Sequence, residues 1–289
     1  MKKTTDFLFT SLSSKIKVFK NFSALVVLLL LISGGVNAQV SLTATVGTTS
    51  GTFTTLKGAF DAINLGTHKG VIVISITANT TEGTTPATLN SSGAGSASYS
   101  SINIRPTNDG LSISGNPVTG FGVIQLKGAD NVTIDGDNPN SNGTNRNLTV
   151  NNTTTNTVIA NSCIRIATAA NVTSADNIII RNCNLNGNVT SGNSSSITSN
   201  TSSSNSSFGI YCGGNGGTTA TDAPTAITSV TSNTALSGTT INNLTIDNNA
   251  INQCARAIVF NGAATSVSSG VTISNNIIGA SATLTGNAP

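Results

Sequence analysis

The stretches "NVTIDGD" at 131, "NIIIRNCNL" at 177, "NLTIDNNAI" at 243 and "GVTISNNII" at 270 are copies of one short phrase. In each, two apolar residues alternate with variable ones and are followed by Gly or Asn: Val132, Ile134 and Gly136; Ile178, Ile180 and Asn182; Leu244, Ile246 and Asn248; Val271, Ile273 and Asn275. Alternation at a period of two is a strand with one buried face. Gly and Asn tolerate the left-handed backbone that a sharp corner demands, so Gly136, Asn182, Asn248 and Asn275 are expected turn positions. Asparagines stacked at such a position can also hydrogen-bond to one another in a ladder. One copy of the phrase cannot bury its apolar face alone, whereas stacked copies share a continuous core.

A second family of strands lies between the first: "CIRIAT" from 163, "GIYCGG" from 209 and "AIVFNG" from 257. Two or three short strands per repeat, at spacings of roughly 22 residues broken by insertions, read as parallel strands wound into a solenoid. Upstream, Leu56, Ala59, Phe60 and Ile63 have helical spacing, Gly66 stops the helix, and Val71 to Ile76 reads as a strand. "NVTSGNSSSITSNTSSSNSS" at 188–207 and "GGNGGTTATDAPTAITSVTSNTALSGTT" at 213–240 are too polar and glycine-rich for a core and read as loop insertions. On solenoids such insertions often build the binding face.

With the "SINIRPTNDG" segment from 101, this order resembles the right-handed parallel β-helix of pectate-lyase-like proteins over roughly residues 50–289. The resemblance implies an all-β fold, a right-handed parallel β-helix (solenoid), with a short N-terminal capping helix over residues 50–66. The chain then divides into 1–38, a signal peptide read from the residues below; 39–100, the N-terminal cap and first strands; and 101–289, the β-helix rungs with their insertions. Exported bacterial surface proteins of similar appearance commonly continue into further repeats and a sorting domain, so rungs beyond residue 289 are expected. A bare solenoid end is an exposed sheet edge, which makes self-association at the open C-terminal end a further expectation.

The signal peptide is read from Lys2, Lys3, Lys15, Lys17 and Lys20, the apolar run Ala24–Ile32, and the small residue Ala38, after which cleavage is expected. The run is too short to span a bilayer, so no membrane insertion of the mature chain is expected. The whole chain has 13 basic and 10 acidic residues, but the first 38 residues hold five Lys and Asp6, so the mature part has 8 basic against 9 acidic. A near-neutral chain with dispersed cations offers no footprint for nucleic acid. Only 8% of residues are charged, yet the recurrent Val, Ile and Thr clusters favour strands over disorder.

Candidate chemistry is sparse. Asp135 and Asp137 in "TIDGDNPNSNG" are hard oxygen ligands that calcium would accept, although the spacing matches no dedicated loop, and a turn using Asp for local backbone hydrogen bonds is the competing reading. Asp247 shares the strand position of Asp135, which raises a glycosidase-type carboxyl pair; Arg181 at the same position between them argues against it. His68, the sole histidine, follows the helix in a turn, where a surface residue is expected. Cys163, Cys183, Cys212 and Cys254 allow disulfides in an exported chain, but Cys212 falls where Ile166 and Phe260 fall in the sister segments and reads as a small buried apolar residue. Tyr99 and Tyr211 are the only tyrosines and Trp is absent, which is poor provision for aromatic sugar platforms.

These readings name no catalytic residue, no cofactor and no metal site beyond the candidate ligands Asp135 and Asp137. They point to a non-catalytic exported surface scaffold or adhesin, extracellular or on the cell surface, with a polysaccharide or a host or cell-surface ligand as possible partner. The alternative, from the resemblance alone, is a carbohydrate-active enzyme or carbohydrate-binding module of the pectate-lyase-like fold.

Overall fold

The computed structural model describes residues 38–154, 160–169, 172, 174–187, 207–215, 221, 226–227, 240–262 and 266–279. The expected signal segment, apart from Ala38, and most of both expected insertions lie outside the described residues.

From His68 onward the chain visits three sheets in a fixed cycle. Strands β3 (His68–Ile76), β4 (Thr80–Thr81) and β5 (Ala87–Asn90) open the eight-, six- and five-stranded sheets in turn. The cycle repeats with β6 (Tyr99–Pro106), β7 (Leu111–Gly115) and β8 (Gly122–Lys127), then β9 (Val132–Asp135), β10 (Leu148–Asn152) and β11 (Ser162–Thr168). It continues through β12 (Ala175–Arg181), β13 (Cys183–Asn186) and β14 (Phe208–Asn215), then β15 (Ile241–Asp247), β16 (Ala250–Asn252) and β17 (Arg256–Phe260). Strands β18 (Thr272–Ser274) and β19 (Ile277–Ile278) begin a further circuit. Every pairing between circuits is parallel, each strand beside its counterpart one circuit on. The chain is thus mostly β, with parallel sheets and one described helix.

The register stacks the repeated phrase residue on residue. Ile74, Ile104, Ile134, Ile180 and Ile246 are successive Cα partners, and all are fully buried. Ile273 extends the same column but is 52% exposed, since no described circuit covers it. A fully buried side chain of this size contributes about 1.5–3 kcal/mol of transfer free energy, so each circuit is stabilised by the one above it. On the five-stranded sheet, Ile166, Cys212 and Phe260 are register partners, as the alignment of the sister segments requires.

Two expectations need correction. Equivalent residues are separated by 30, 46, 66 and 27 positions in successive circuits, all longer than the expected spacing of about 22. Three strands and three corners need that length, and insertions at the corners lengthen the middle circuits. The second insertion also begins later than 213, because β14 carries Gly213, Gly214 and Asn215.

The N-terminal end closes the stack. Strand β1 (Val40–Gly47) pairs antiparallel with β3 and with β2 (Ser50–Phe53), which covers the edge of the eight-stranded sheet. Helix α1 (Leu56–Asn64) buries Leu56, Ala59, Phe60 and Ile63, the four residues whose spacing predicts it. Its last residue, Asn64, donates to Thr88 O (2.9 Å) and accepts from the Asn90 N–H (2.9 Å), so an amide side chain occupies the edge of β5. Its first turn is held from 26 residues away. The buried Glu82 carboxylate accepts from Leu56 N–H (2.9 Å) and Lys57 N–H (2.8 Å), while Thr55 Oγ1 accepts from Gly58 N–H (3.0 Å). These donors have no partner inside the helix, and an anion is favoured there by the helix dipole.

His68 is corrected from surface to interior. It is 2% exposed, its Nδ1–H donates to Thr48 O (2.5 Å), and its ring meets Phe53 edge-on under the β1–β2 hairpin. Gly51 makes room for it, as a Cβ there would lie 2.8 Å from His68 Nε2.

Ile180→Ala is expected to destabilise by about 2–5 kcal/mol in denaturant titration, because it opens a cavity in a covered layer. Ile273→Ala in the uncovered layer should cost less than about 1 kcal/mol. Glu82→Ala should cost about 1–3 kcal/mol by the same measurement, through one buried and one partly buried helix N–H group left unpaired.

Candidate functional site: a charged column on the eight-stranded sheet

The outward residue at the end of each repeated strand forms a column in which charge alternates: Arg105, Asp135, Arg181, Asp247, ending in Ser274. Parallel pairing puts equivalent side chains one strand spacing apart, about 4.8 Å, so each carboxylate is bracketed by groups that can donate to it.

Asp135 is the centre of the column and is 2% exposed. Its Oδ2 accepts from Arg105 (3.2 Å) and from Arg181 Nε (3.0 Å), with Arg181's terminal nitrogen at 2.8 Å. Its Oδ1 accepts from Asn182 Nδ2 (2.8 Å) and the Asp137 N–H (3.1 Å). Both oxygens are therefore saturated, and two guanidinium groups flank the carboxylate. A calcium ion brought to Asp135 would face those positive charges and have to displace the donors. Asp137 stands apart from the column; its Oδ1 accepts from Asn145 N–H (2.9 Å) and ties off the 137–145 loop. Among the described residues no group of three or more His, Cys, Asp or Glu is placed to hold a metal.

The carboxyl pair raised by the sequence is separated by Arg181, which is the register partner of both Asp135 and Asp247. Two strand spacings, about 9.6 Å, fall at the upper end of what inverting glycosidases use. Asp135, with both oxygens already accepting from Arg105, Arg181, Asn182 and the Asp137 N–H, presents no oxygen to a glycosidic bond. Asp247 accepts from Ser274 Oγ (2.7 Å) and Asn275 Nδ2 (2.8 Å), and these hydrogen bonds hold its carboxyl below the usual range.

The turn positions lie directly beyond this column. Asn182, Asn248 and Asn275 have left-handed backbones (φ 56°, 51° and 54°), and Asn248 Nδ2 donates to Asn182 Oδ1 (2.9 Å). Gly136 differs: it is absent from the left-handed set, and it is glycine for space, since a Cβ would sit 2.0 Å from Asn182 O. Arg146, on the loop after Gly136, donates to Asn248 O (2.7 Å) and Oδ1 (2.6 Å), reaching across 102 residues of sequence.

A second asparagine ladder was missed by the sequence reading. Asn131, Asn177, Asn243 and Gly270 open the four repeated phrases and are all left-handed (φ 57°, 56°, 59° and 64°). Asn177 donates to Asn131 Oδ1 (2.9 Å) and Asn243 to Asn177 Oδ1 (3.0 Å). The signal was visible in the first letter of the copies, Asn in three and Gly in the fourth.

The outer face of the five-stranded sheet is covered and polar. Arg165, between Gln125 and Tyr211 in register, is fully buried and donates to Gly120 O (3.1 Å) and Gly213 O (3.4 Å). Burial lowers its guanidinium to about 10. Nothing in "CIRIAT" distinguishes this arginine from a solvated one. Tyr99 and Tyr211 are 7% and 3% exposed, so neither presents an open ring to a sugar. All four cysteines are free; Cys163, Cys183 and Cys212 are buried and Cys254 is partly buried.

No family model, curated protein or solved structure matches the chain. Among the described residues no helix is long and apolar enough to cross a membrane.

Asp135→Ala is expected to lower stability by about 1–3 kcal/mol in denaturant titration, since two arginines and Asn182 lose their common acceptor. Asp247 titrates below its unfolded value, so its contribution is present above the ordinary carboxylate range and is lost as pH falls through the folded value. The stability difference between wild type and Asp247→Asn should therefore be present at neutral pH, remain below about 1 kcal/mol because the group is exposed, and vanish in acid.

Proposed function

We propose that the chain is a right-handed parallel β-helix of the pectate-lyase-like type that serves as a non-catalytic, exported surface scaffold or adhesin. The observation that carries this reading is the column itself. Its central carboxylate and flanking guanidinium groups are engaged with one another and with the next circuit, so these repeated ionisable positions work as structural joints. The three-sheet cycle supports the solenoid form, and the lysine-rich, apolar N-terminal segment supports export. Ligand contact in this reading falls on the outward faces and corner insertions, with a polysaccharide or another cell-surface molecule as partner.

The test is to incubate the purified mature protein with uronate-containing and neutral polysaccharides, and to label intact producing cells with an antibody. The reading expects no release of reducing or unsaturated ends, surface labelling, and ligand capture unchanged by Asp135→Asn together with Asp137→Asn. Steady release of sugar ends would overturn it in favour of the carbohydrate-active alternative, and capture abolished by the double variant would make the carboxylates a ligand site.

A further inference from the structure

We propose that Cys163 and Cys254 are a redox pair that closes into a disulfide, tying the third circuit to the fifth across the fourth. Both are free thiols here, Cys163 buried on β11 and Cys254 partly buried in the corner between β16 and β17. Their side chains are in hydrogen-bonding contact with each other. Both also rest on the same peptide of the fourth circuit: Cys163 Sγ donates to Asn186 O (3.1 Å), and a Cβ on Gly187 would lie 2.9 Å from Cys254 Sγ. The other bond of Cys254 is local, to Asn252 O at 3.2 Å. A thiol is a weak donor, so giving up these two carbonyls costs little. The fourth circuit carries no β-carbon at the two places nearest the pair. Besides Gly187, the residue opposite Cys163 in β14 is Gly209, between the register pairs Ser162–Phe208 and Ile164–Ile210.

Cys183 and Cys212 stand elsewhere: Cys183 is the register partner of Leu148, and Cys212 of Ile166 and Phe260. Burial pushes the Cys163 thiol well above the ordinary range and the neighbouring Cys254 adds to that push, so Cys163 is a poor nucleophile toward outside reagents. Cys254, the more accessible member, meets the oxidant first. That oxidant is a disulfide, small or protein-borne, of the compartment an exported chain enters, and its supply in the cell rests on the proposed export. Cys254 Sγ attacks one of its sulfurs, forming a mixed disulfide and releasing one thiol. Cys163 Sγ then attacks Cys254 Sγ, the bond between the two cysteines forms, and the second thiol leaves. The two cysteine protons end on the released thiols, so the pair is oxidised as one external disulfide is reduced. The link closes the whole segment between the two cysteines, which contains both polar insertions. Closing so long a segment restricts the unfolded chain and holds together circuits that a solenoid would otherwise open one by one.

The test equilibrates the purified, folded mature chain with oxidised glutathione, so that failure of the link and failure of export are read separately. Free thiols are then alkylated in denaturant and the chain is cut before each Asp. That cleavage puts Cys163 in 137–175, Cys183 and Cys212 in 176–221, and Cys254 in the fragment that starts at Asp247. The expected result is that the first and last of these fragments are joined, two hydrogens lighter than their sum, while Cys183 and Cys212 are both alkylated. Dithiothreitol should separate them and lower the Tm of the wild type by roughly 10 °C, leaving the Tm of Cys254→Ser unchanged. In Cys254→Ser, folded by circular dichroism, Cys163 should be recovered alkylated and unlinked. Alkylation of all four cysteines in the wild type would overturn the proposal, as would a lasting glutathione adduct on Cys254 or a link that includes Cys183 or Cys212.

Discussion

The constraint on which the rest depends is that a parallel strand in one circuit must find its hydrogen-bond partners and its core contacts in the circuits on either side. Within a circuit the three strands lie in different sheets, so none of them pairs with another. Local sequence therefore cannot make a strand stable here; register between circuits does. The isoleucine column shows the dependence directly, since the same residue type at the same position goes from fully buried in Ile246 to half exposed in Ile273 when the covering layer is missing from the described chain.

Polar columns enforce that register on the outside. Uncharged asparagines at a left-handed corner bond to the copy of themselves one circuit away, which satisfies amides at the corners, where the regular strand-to-strand ladders are interrupted. At the charged position like charges in adjacent circuits would repel, and the alternation of Arg105, Asp135, Arg181 and Asp247 avoids that. A slip by one circuit would set Asp against Asp and Arg against Arg. The column thus discriminates the native stacking from its nearest competitor, a role that fits groups whose individual contribution on a surface is small.

Much of this was legible in the chain. The apolar alternation, the helix from Leu56 and the alignment of Cys212 with Ile166 and Phe260 follow from short-range periodicity, which sequence displays directly. What was hidden involves partners brought together only by stacking. Glu82 is an unremarkable acid until it meets the first turn of a helix 26 residues before it. Arg165 and Lys127 look solvated in sequence and are buried because other segments cover their sheet, and His68 is buried because a hairpin folds over it. The site followed the same rule: Asp135 was visible as a candidate ligand, whereas its saturation by Arg105, Arg181 and Asn182 required the register.

The most direct measurement of that register is the distance between nitroxide labels at Val73→Cys and Thr272→Cys, in a chain with Cys254 replaced by Ser. Val73 and Thr272 are exposed members of one outward column, linked through Asn103, Thr133, Ile179 and Thr245. Five strand spacings predict a narrow distribution near 24 Å, at about 4.8 Å each, after allowance for the labels. A broad distribution, or a mean displaced by more than about one strand spacing of 4.8 Å, would contradict the stacking on which the core, the columns and the proposed scaffold role all rest.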